Sequence, residues 1–365
     1  MMRDLHVCLP EPLRCFVAAL FQAFGTDPDI ADEVGRHLIN ANLSGHDSHG
    51  VIRVSQYFDQ AAKGALVPNA RPEILQAASV TALIDAHRGM GHFATSFTLD
   101  WAMRQAGEHG LAAAAIRHAS HIGRLGDYTE RAGARGYIAI LTVGVGGPGL
   151  GGVVLFGSRQ RFLGTNPWSI AIPADGRPPM VFDGASSAVA EGKVRLARSK
   201  GVALPEGAIV DPEGRPTTDP EDFYRGGGLL PVGGDVAGHK GYGLAMASML
   251  LCALAMVDDP DPYLWASSEA EVRDRRGRAG GVFLIVIDPQ RFGDAAHYRA
   301  LIAEVMAVAK QAPCAPGVDE ILIPGEPEVR MRERRMRDGI PIPDAIWKEL
   351  CSLAERFAVP LPRTL

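Results

Sequence analysis

The chain predicts an α/β core flanked by helices at both ends, and three features carry that prediction. From Val80 onward, short apolar strand-like runs alternate with segments of helical period. Up to Pro68-Asn69 the apolar spacing is helical, and it is helical again after Asp344. With 365 residues, 47% hydrophobic and 22% charged, the chain can bury a large core, and its length suggests two domains or one with a helical appendage.

In order, Pro10–Phe24, Ile30–Ala41 and Ile52–Lys63 read as helices with one apolar face. Val80–Asp85 is the first strand, followed by a turn at Gly89-Met90-Gly91 and a helix to about His109. Leu111–Ile116 reads as a buried strand. Further strands are expected at Tyr137–Val143, Trp168–Ile172, Met180–Asp183 and Val282–Ile287. Helices are expected at Asp127–Arg135, Ser187–Ala197, Gly241–Met256, Ala295–Gln311 and Asp344–Phe357. The terminal helices are expected to pack as one discontinuous helical domain, residues 1–75 with 300–365, beside an α/β domain of residues 76–299.

A net charge of −5 and a pI near 6.1 argue against a dedicated nucleic-acid or membrane-surface binder. The basic run Arg330–Arg337 is local and reads as a solvated helix face. Five scattered cysteines without Cys-x-x-Cys fit a reducing compartment. Met1–Pro10 carries Arg3, Asp4 and His6 with no apolar core, so no signal peptide is expected. Gly241–Val257 is free of charge, yet reads as a buried helix rather than a membrane span. The expectation is a soluble cytoplasmic protein.

The densest chemistry lies in Gly45-His46-Asp47-Ser48-His49-Gly50-Val51-Ile52-Arg53. If Asp47 or Ser48 caps a helix beginning near His49, then His49 and Arg53 share a face. A proton-transfer group and a bidentate clamp would then sit beside free helix amides, suiting a small anionic substrate. The plain structural alternative is a capping Ser, a surface His and a solvated Arg.

A second cluster, Arg117-His118-Ala119-Ser120-His121-Ile122-Gly123-Arg124, follows a buried strand, where α/β proteins place their chemistry. His121 is the better acid or base there, and His118 a structural residue. The pairs His46/His49 and His118/His121 could in principle hold a metal, which keeps a metal-dependent hydrolase as the alternative from another class. A catalytically dead binding protein is the third reading. Gly144-Val145-Gly146-Gly147-Pro148-Gly149 matches a dinucleotide fingerprint in outline only. Pro148 removes an amide, no helix pattern follows, and the next acid is Asp175, so a mobile glycine loop is the better reading. Gly238-His239-Lys240-Gly241 is expected to open the charge-free helix, where its amides and Lys240 could hold a phosphate.

Taken in order, Ser48-His49-Gly50-Val51-Ile52-Arg53, Ser120-His121-Ile122-Gly123, Gly164-Thr165-Asn166-Pro167, Asp183-Gly184-Ala185-Ser186-Ser187, His239-Lys240-Gly241-Tyr242-Gly243 and Pro324-Gly325-Glu326 resemble the type 2 malate/L-lactate dehydrogenase family. That family includes ureidoglycolate, sulfolactate and 2,3-diketogulonate oxidoreductases and cyclic-imine carboxylate reductases. The resemblance implies a non-Rossmann, mixed-sheet NAD(P)-binding core and a homodimer. It implies a catalytic role for His121, with His49 as alternate proton donor, and substrate contacts from Ser48 and Arg53. Cofactor contacts, to NAD or NADP, are implied for Asp183, Gly184, Ala185, Ser187, Lys240, Gly241, Gly325 and Glu326. Arg117-His118-Ala119-Ser120, Val143-Gly144-Val145 and Gly184 depart from the family's usual residues, which bears on the substrate pocket. The reaction expected is hydride transfer between nicotinamide and C2 of a small 2-hydroxy/2-oxo carboxylate, or of a cyclic 2-imino carboxylate.

Overall fold

The structure, a computed structural model, describes residues 5–259 and 280–365. Arg3 and Asp4, which entered the reading above, lie outside that range.

The first helices form where expected. Pro10 and Pro28 each sit in the first turn of a helix, α1 (Pro10–Ala23) and α2 (Pro28–Leu43), where the missing amide costs nothing. On α1, Leu13, Phe16, Val17, Leu20 and Phe21 recur at helical spacing and are buried. They join Ile30, Leu38, Tyr57, Phe58, Trp347 and Leu350 in one hydrophobic cluster. That cluster draws on both ends of the chain, and a short antiparallel pair, β1 (Leu5–Cys8) with β14 (Ile340–Pro343), runs beside it.

The larger sheet has seven strands in the described residues. They are β2 (Glu73–Ala77), β3 (Thr81–Asp85), β4 (Leu111–Arg117), β13 (Gly281–Ile287), β5 (Ile138–Gly144), β8 (Trp168–Ile172) and β9 (Met180–Gly184), in that spatial order. Only the β3–β4 pair among them is parallel, so the sheet is mixed. The Ala-rich β4 and the apolar β13 pair over six positions from Val282↔Ile116 to Ile287↔Leu111. The core between this sheet and its helices includes Leu99, Ile116, Tyr128, Leu141 and Leu284. Helix α4 (Gly91–His109) ends at Gly110, whose φ of 97° places it in the left-handed region that stops a helix. Helix α5 (Leu125–Ala134) covers β5 and β8.

A smaller five-stranded sheet contains β6 (Val153–Val154), β7 (Arg161–Leu163), β10 (Ile209–Val210), β11 (Pro216–Thr217) and β12 (Gly228–Leu229). It was not anticipated, because strands of two or three residues leave no readable alternation. Helices α6 (Glu191–Lys200), α7 (Pro220–Tyr224) and α8 (Gly234–Cys252) share a hydrophobic cluster with it, and α9 (Ala295–Lys310), α10 (Glu326–Asp338) and α11 (Asp344–Phe357) follow.

Three local expectations are corrected. The helix expected to begin near His49 is two 3₁₀ turns, Asp47–His49 and Val51–Arg53, before α3 (Val54–Ala62); Gly50, at φ −92° and ψ −148°, breaks the run. The helix expected from Gly238 starts a turn earlier, at Gly234, so the amides of Gly238–Gly241 lie inside it. The basic run belongs to α10 but is not solvated throughout: Arg335 is 8% exposed and pairs with Asp47.

The glycine loop after β5 leads to no helix, as the sequence indicates. A Cβ on Gly144 would lie 2.5 Å from Met249 Cα, so this glycine serves the close approach of α8 to the sheet. The loop is also less free than expected, since the amides of Gly147 and Gly149 donate to the carbonyls of Phe162 and Arg161. No described helix is long and apolar enough to cross a membrane.

Candidate active site

The two histidine-bearing segments meet. His49 comes from the 3₁₀ turn after α2, and His121 from the loop between β4 and α5. Their rings stack with centroids 5.5 Å apart and planes 18° from parallel. Each is anchored through Nδ1: His49 lies 3.0 Å from Ser48 Oγ, and His121 lies 2.8 Å from the Tyr57 hydroxyl. Neither Nε2 has a hydrogen-bond partner among the described residues.

Burial makes protonation costly here. His49 is held down to about 3, first by desolvation and then by the Arg53 charge. His121 is held well below the ordinary histidine range by desolvation, with the neighbouring His49 and Arg53 adding to it. Both rings are therefore neutral near pH 7 in the free protein. Arg53, half-buried, donates from Nε to the Ser48 carbonyl at 2.6 Å and from Nη1 to Gln56 Oε1 at 2.7 Å. Its fork is thus partly committed, correcting the picture of a wholly free clamp; Nη2 keeps no partner among the described residues.

Behind His121 runs a buried polar network that the sequence did not reveal. The Tyr57 hydroxyl lies 3.4 Å from His92 Nε2, and the His92 ring meets His37 edge-on at 4.7 Å. His37 Nε2 accepts the Arg124 amide at 2.9 Å, which leaves Nδ1 to face the Asp127 carboxylate at 3.2 Å. Asp127, fully buried, also takes Arg36 at 2.6 Å, and these partners keep its carboxyl well below the ordinary range. The available signal was that a charged residue inside an apolar helix face needs a buried partner, but sequence does not say which one.

The residues expected to touch a cofactor fall into two groups. Ser186 donates its amide to Thr165 O and its hydroxyl to Asn166 O. Val232 donates its amide to Ser186 O, and Gly241 of α8 packs on Val232, where a Cβ would meet its carbonyl at 2.3 Å. The motifs at 164–167, 183–187 and 239–243 thus converge on one side of the sheet edge. Asp183 accepts the Gly126 amide at 2.8 Å and faces Arg124 at 3.5 Å; burial raises its carboxyl above the ordinary range against those two partners. Lys240 is exposed and makes no ion pair among the described residues. The second group is Gly325 and Glu326. Pro324 O accepts the Val181 amide at 3.0 Å, which sets Gly325 against β9. Both line a cavity of about 230 Å³, with Arg177 and Arg330 in its wall, that contains none of Ser48, His49, Arg53 or His121.

The four imidazoles weighed as a metal site do not form one. His46 lies 3.2 Å from Glu328, and His118 lies between Asp85 and Asp259. No group of three metal-ligating side chains occurs among the described residues.

Two neutral imidazoles with open nitrogens beside an arginine can exchange a proton with an anion, and comparison with known proteins places the chain among the oxidoreductases. Residues 9–351 match the malate/L-lactate dehydrogenase family, to which this chain belongs. It is 33% identical over 355 residues to hydroxycarboxylate dehydrogenase B of Escherichia coli (strain K12), covering 96% of this chain and 94% of that one. It is 32% identical to the Delta(1)-pyrroline-2-carboxylate/Delta(1)-piperideine-2-carboxylate reductase of Pseudomonas syringae pv. tomato, covering 92% of each. Malate dehydrogenase from Entamoeba histolytica superposes with a TM-score of 0.90 at 26% identity, over 99% of this chain and 100% of that one. The chain is an oxidoreductase of a family whose dehydrogenases use a nicotinamide cofactor.

Proposed function

We propose that this protein transfers hydride between NAD or NADP and C2 of a small 2-hydroxy/2-oxo carboxylate. The observation that carries the reading is the stacked pair His49 and His121, each anchored at Nδ1 with Nε2 open, beside Arg53. Arg53 and Ser48 would hold the substrate carboxylate. A bound anion offsets the Arg53 charge that helps keep both imidazoles neutral, so binding itself raises their basicity toward working pH. His121 then takes the proton from the C2 hydroxyl, or returns it, while His49 polarises the same oxygen or serves as the alternate donor. Tyr57, whose hydroxyl burial keeps neutral, orients the His121 ring.

The residues present fit a nicotinamide dinucleotide. Gly184 and Ala185 leave little side-chain bulk at the end of β9, Asp183 and Ser187 flank them, Lys240 is a cation with no ion pair among the described residues and Gly241 beside it, and Gly325 and Glu326 line a cavity. When bound, that group supplies or accepts the hydride. The same reading divides the chain into a helical unit, 1–75 with 300–365, and an α/β unit, 76–299, supported by their separate hydrophobic clusters. It also includes a homodimer. Leu244, Leu250, Leu251 and Leu254, in the charge-free part of α8 and the turn after it, are exposed at helical spacing, a face suited to a second copy. Light scattering that gives a monomer at micromolar concentration would remove the dimer.

The deciding experiment is a panel of 2-oxo acids and cyclic 2-imino carboxylates, each with NADH and NADPH. Reduction of an open-chain 2-oxo acid supports the reading. Turnover confined to cyclic imines replaces it with the imine reductase named among the relatives.

A further inference from the structure

We propose that Arg335 is a positioning residue for the Ser48–His49 turn, acting through Asp47. The proposal rests on the reading of Ser48 and His49 as substrate-side groups. Helix α10 lies along the segment leading into that turn and meets it with one face. Glu328, Met331, Arg332 and Arg335 recur at helical spacing and contact, in turn, His46, Gly45, Ser44 and Asp47. The last contact is a fork. Arg335 Nη1 donates to Asp47 Oδ1 at 2.6 Å and Nη2 to Oδ2 at 2.9 Å, and the same guanidinium bonds the Asn42 carbonyl. The Asn42 side chain closes the frame, donating to Asp47 Oδ1 at 2.6 Å and accepting the Val51 amide at 2.9 Å.

The turn is therefore pinned on both sides, Asp47 by Arg335 and Val51 by Asn42, with only Ser48, His49 and Gly50 between. Gly50 belongs to the same frame, since a Cβ there would fall 2.1 Å from Asn42 Oδ1. Two parallel charge-assisted bonds fix orientation as well as distance, which a single ammonium cannot reproduce. Arg335 bonds to neither Ser48 nor His49; it sets where they point.

The test uses the full-length protein with Asp47→Asn, Arg335→Lys and Arg335→Met. It measures KM for the 2-oxo acid, KM for the cofactor, the pH dependence of kcat/KM, and hydrogen exchange of amides 44–53 without ligands. Asp47→Asn and Arg335→Met should each raise substrate KM about tenfold, the scale of a lost charged hydrogen bond, with cofactor KM within twofold. Arg335→Lys should fall between. Exchange in 44–53 should quicken while the seven-stranded sheet keeps its protection. Substrate KM within twofold of wild type, unchanged exchange, or an equal rise in both KM values would each overturn the proposal. Should Arg335→Met fail to fold, Asp47→Asn decides, because it leaves Arg335 bonded to the Asn42 carbonyl. If the wild-type protein reduces no 2-oxo acid, the functional reading falls, and the exchange data alone judge the role of Arg335.

Discussion

Among the described residues, His49, Arg53 and His121 keep polar atoms without a partner, whereas most side chains of the cofactor-side group have theirs committed to the protein. Glu326 takes Lys310 at 2.5 Å, Arg177 at 3.1 Å and the Ile323 amide; Ser187 donates to Val189 O; Asp183 holds Gly126 and Arg124. The first region resembles a reaction site, in which donors and acceptors await a ligand. The second resembles a scaffold, shaped by small residues and backbone, with Lys240 the exception. Charge-changing substitutions should therefore act on chemistry in the first region and mainly on binding in the second.

The largest effect expected is from His121→Ala, which should cut kcat by ~10²–10⁴-fold, the usual worth of a positioned acid–base group, with cofactor affinity unchanged. Stopped-flow turnover with fluorescence titration of NADH checks both halves. Equal loss of cofactor binding would move His121 to the scaffold side of the comparison. His49→Ala sharpens it: if that change abolishes the pH limb of kcat/KM while His121→Ala keeps it, the proton belongs to His49. An unperturbed histidine would set that limb near neutrality. Burial places it lower, so oxidation in the free-enzyme profile should rise at acid pH and be flat above about 6.5.

Arg53→Lys comes next. It preserves charge but loses the fork and the Nε bond to Ser48 O, so substrate KM should rise roughly 10- to 100-fold, with a smaller loss of kcat. Steady-state kinetics decide it, and an unchanged KM would detach Arg53 from the carboxylate.

Stability should follow the same histidines. His49, His92 and His121 all have pKa values depressed on folding, so the unfolded chain binds more protons below about pH 6.5. Their contribution is present above that pH and is lost as pH falls toward the folded values, which for His49 means toward about 3. Calorimetry should show Tm falling as pH is lowered from 6.5 to 4. A flat Tm across that window would mean the rings charge freely in the native state.

The smallest effect is expected from Lys240→Met. If Lys240 meets the anionic cofactor as proposed, this exposed cation should be worth up to roughly fivefold in cofactor KM, and the difference should vanish at high salt. An effect on kcat instead would draw Lys240 into the reaction site.

What could be read in the sequence was local. The long strands and the helices around residues 10–43 and 344–357 announce themselves by period and capping, and the six ordered motifs lead to the family. What could not be read was partnership. His37, His92 and Asp127 sit in ordinary helical sequence, and only the fold brings them behind His121. Arg335 in a run of arginines looks like any surface charge until the helix is laid against Asp47. The helix expected at His49 failed for a related reason: Gly50 and the Arg335–Asp47 pair dictate the turn, overriding the cap.

Strand β13 has a consequence for how the molecule is made. Residues 281–287 insert between β4 and β5, bonding to both along their length. Without them, β4 and β5 would each present a row of unmet amides and carbonyls across an empty lane. Such an open lane accepts any extended chain of similar character, another copy's included. A half-sheet formed before residues 281–287 are available would be vulnerable to capture, during synthesis or on refolding from denaturant. Its yield should depend on protein concentration far more than native stability suggests.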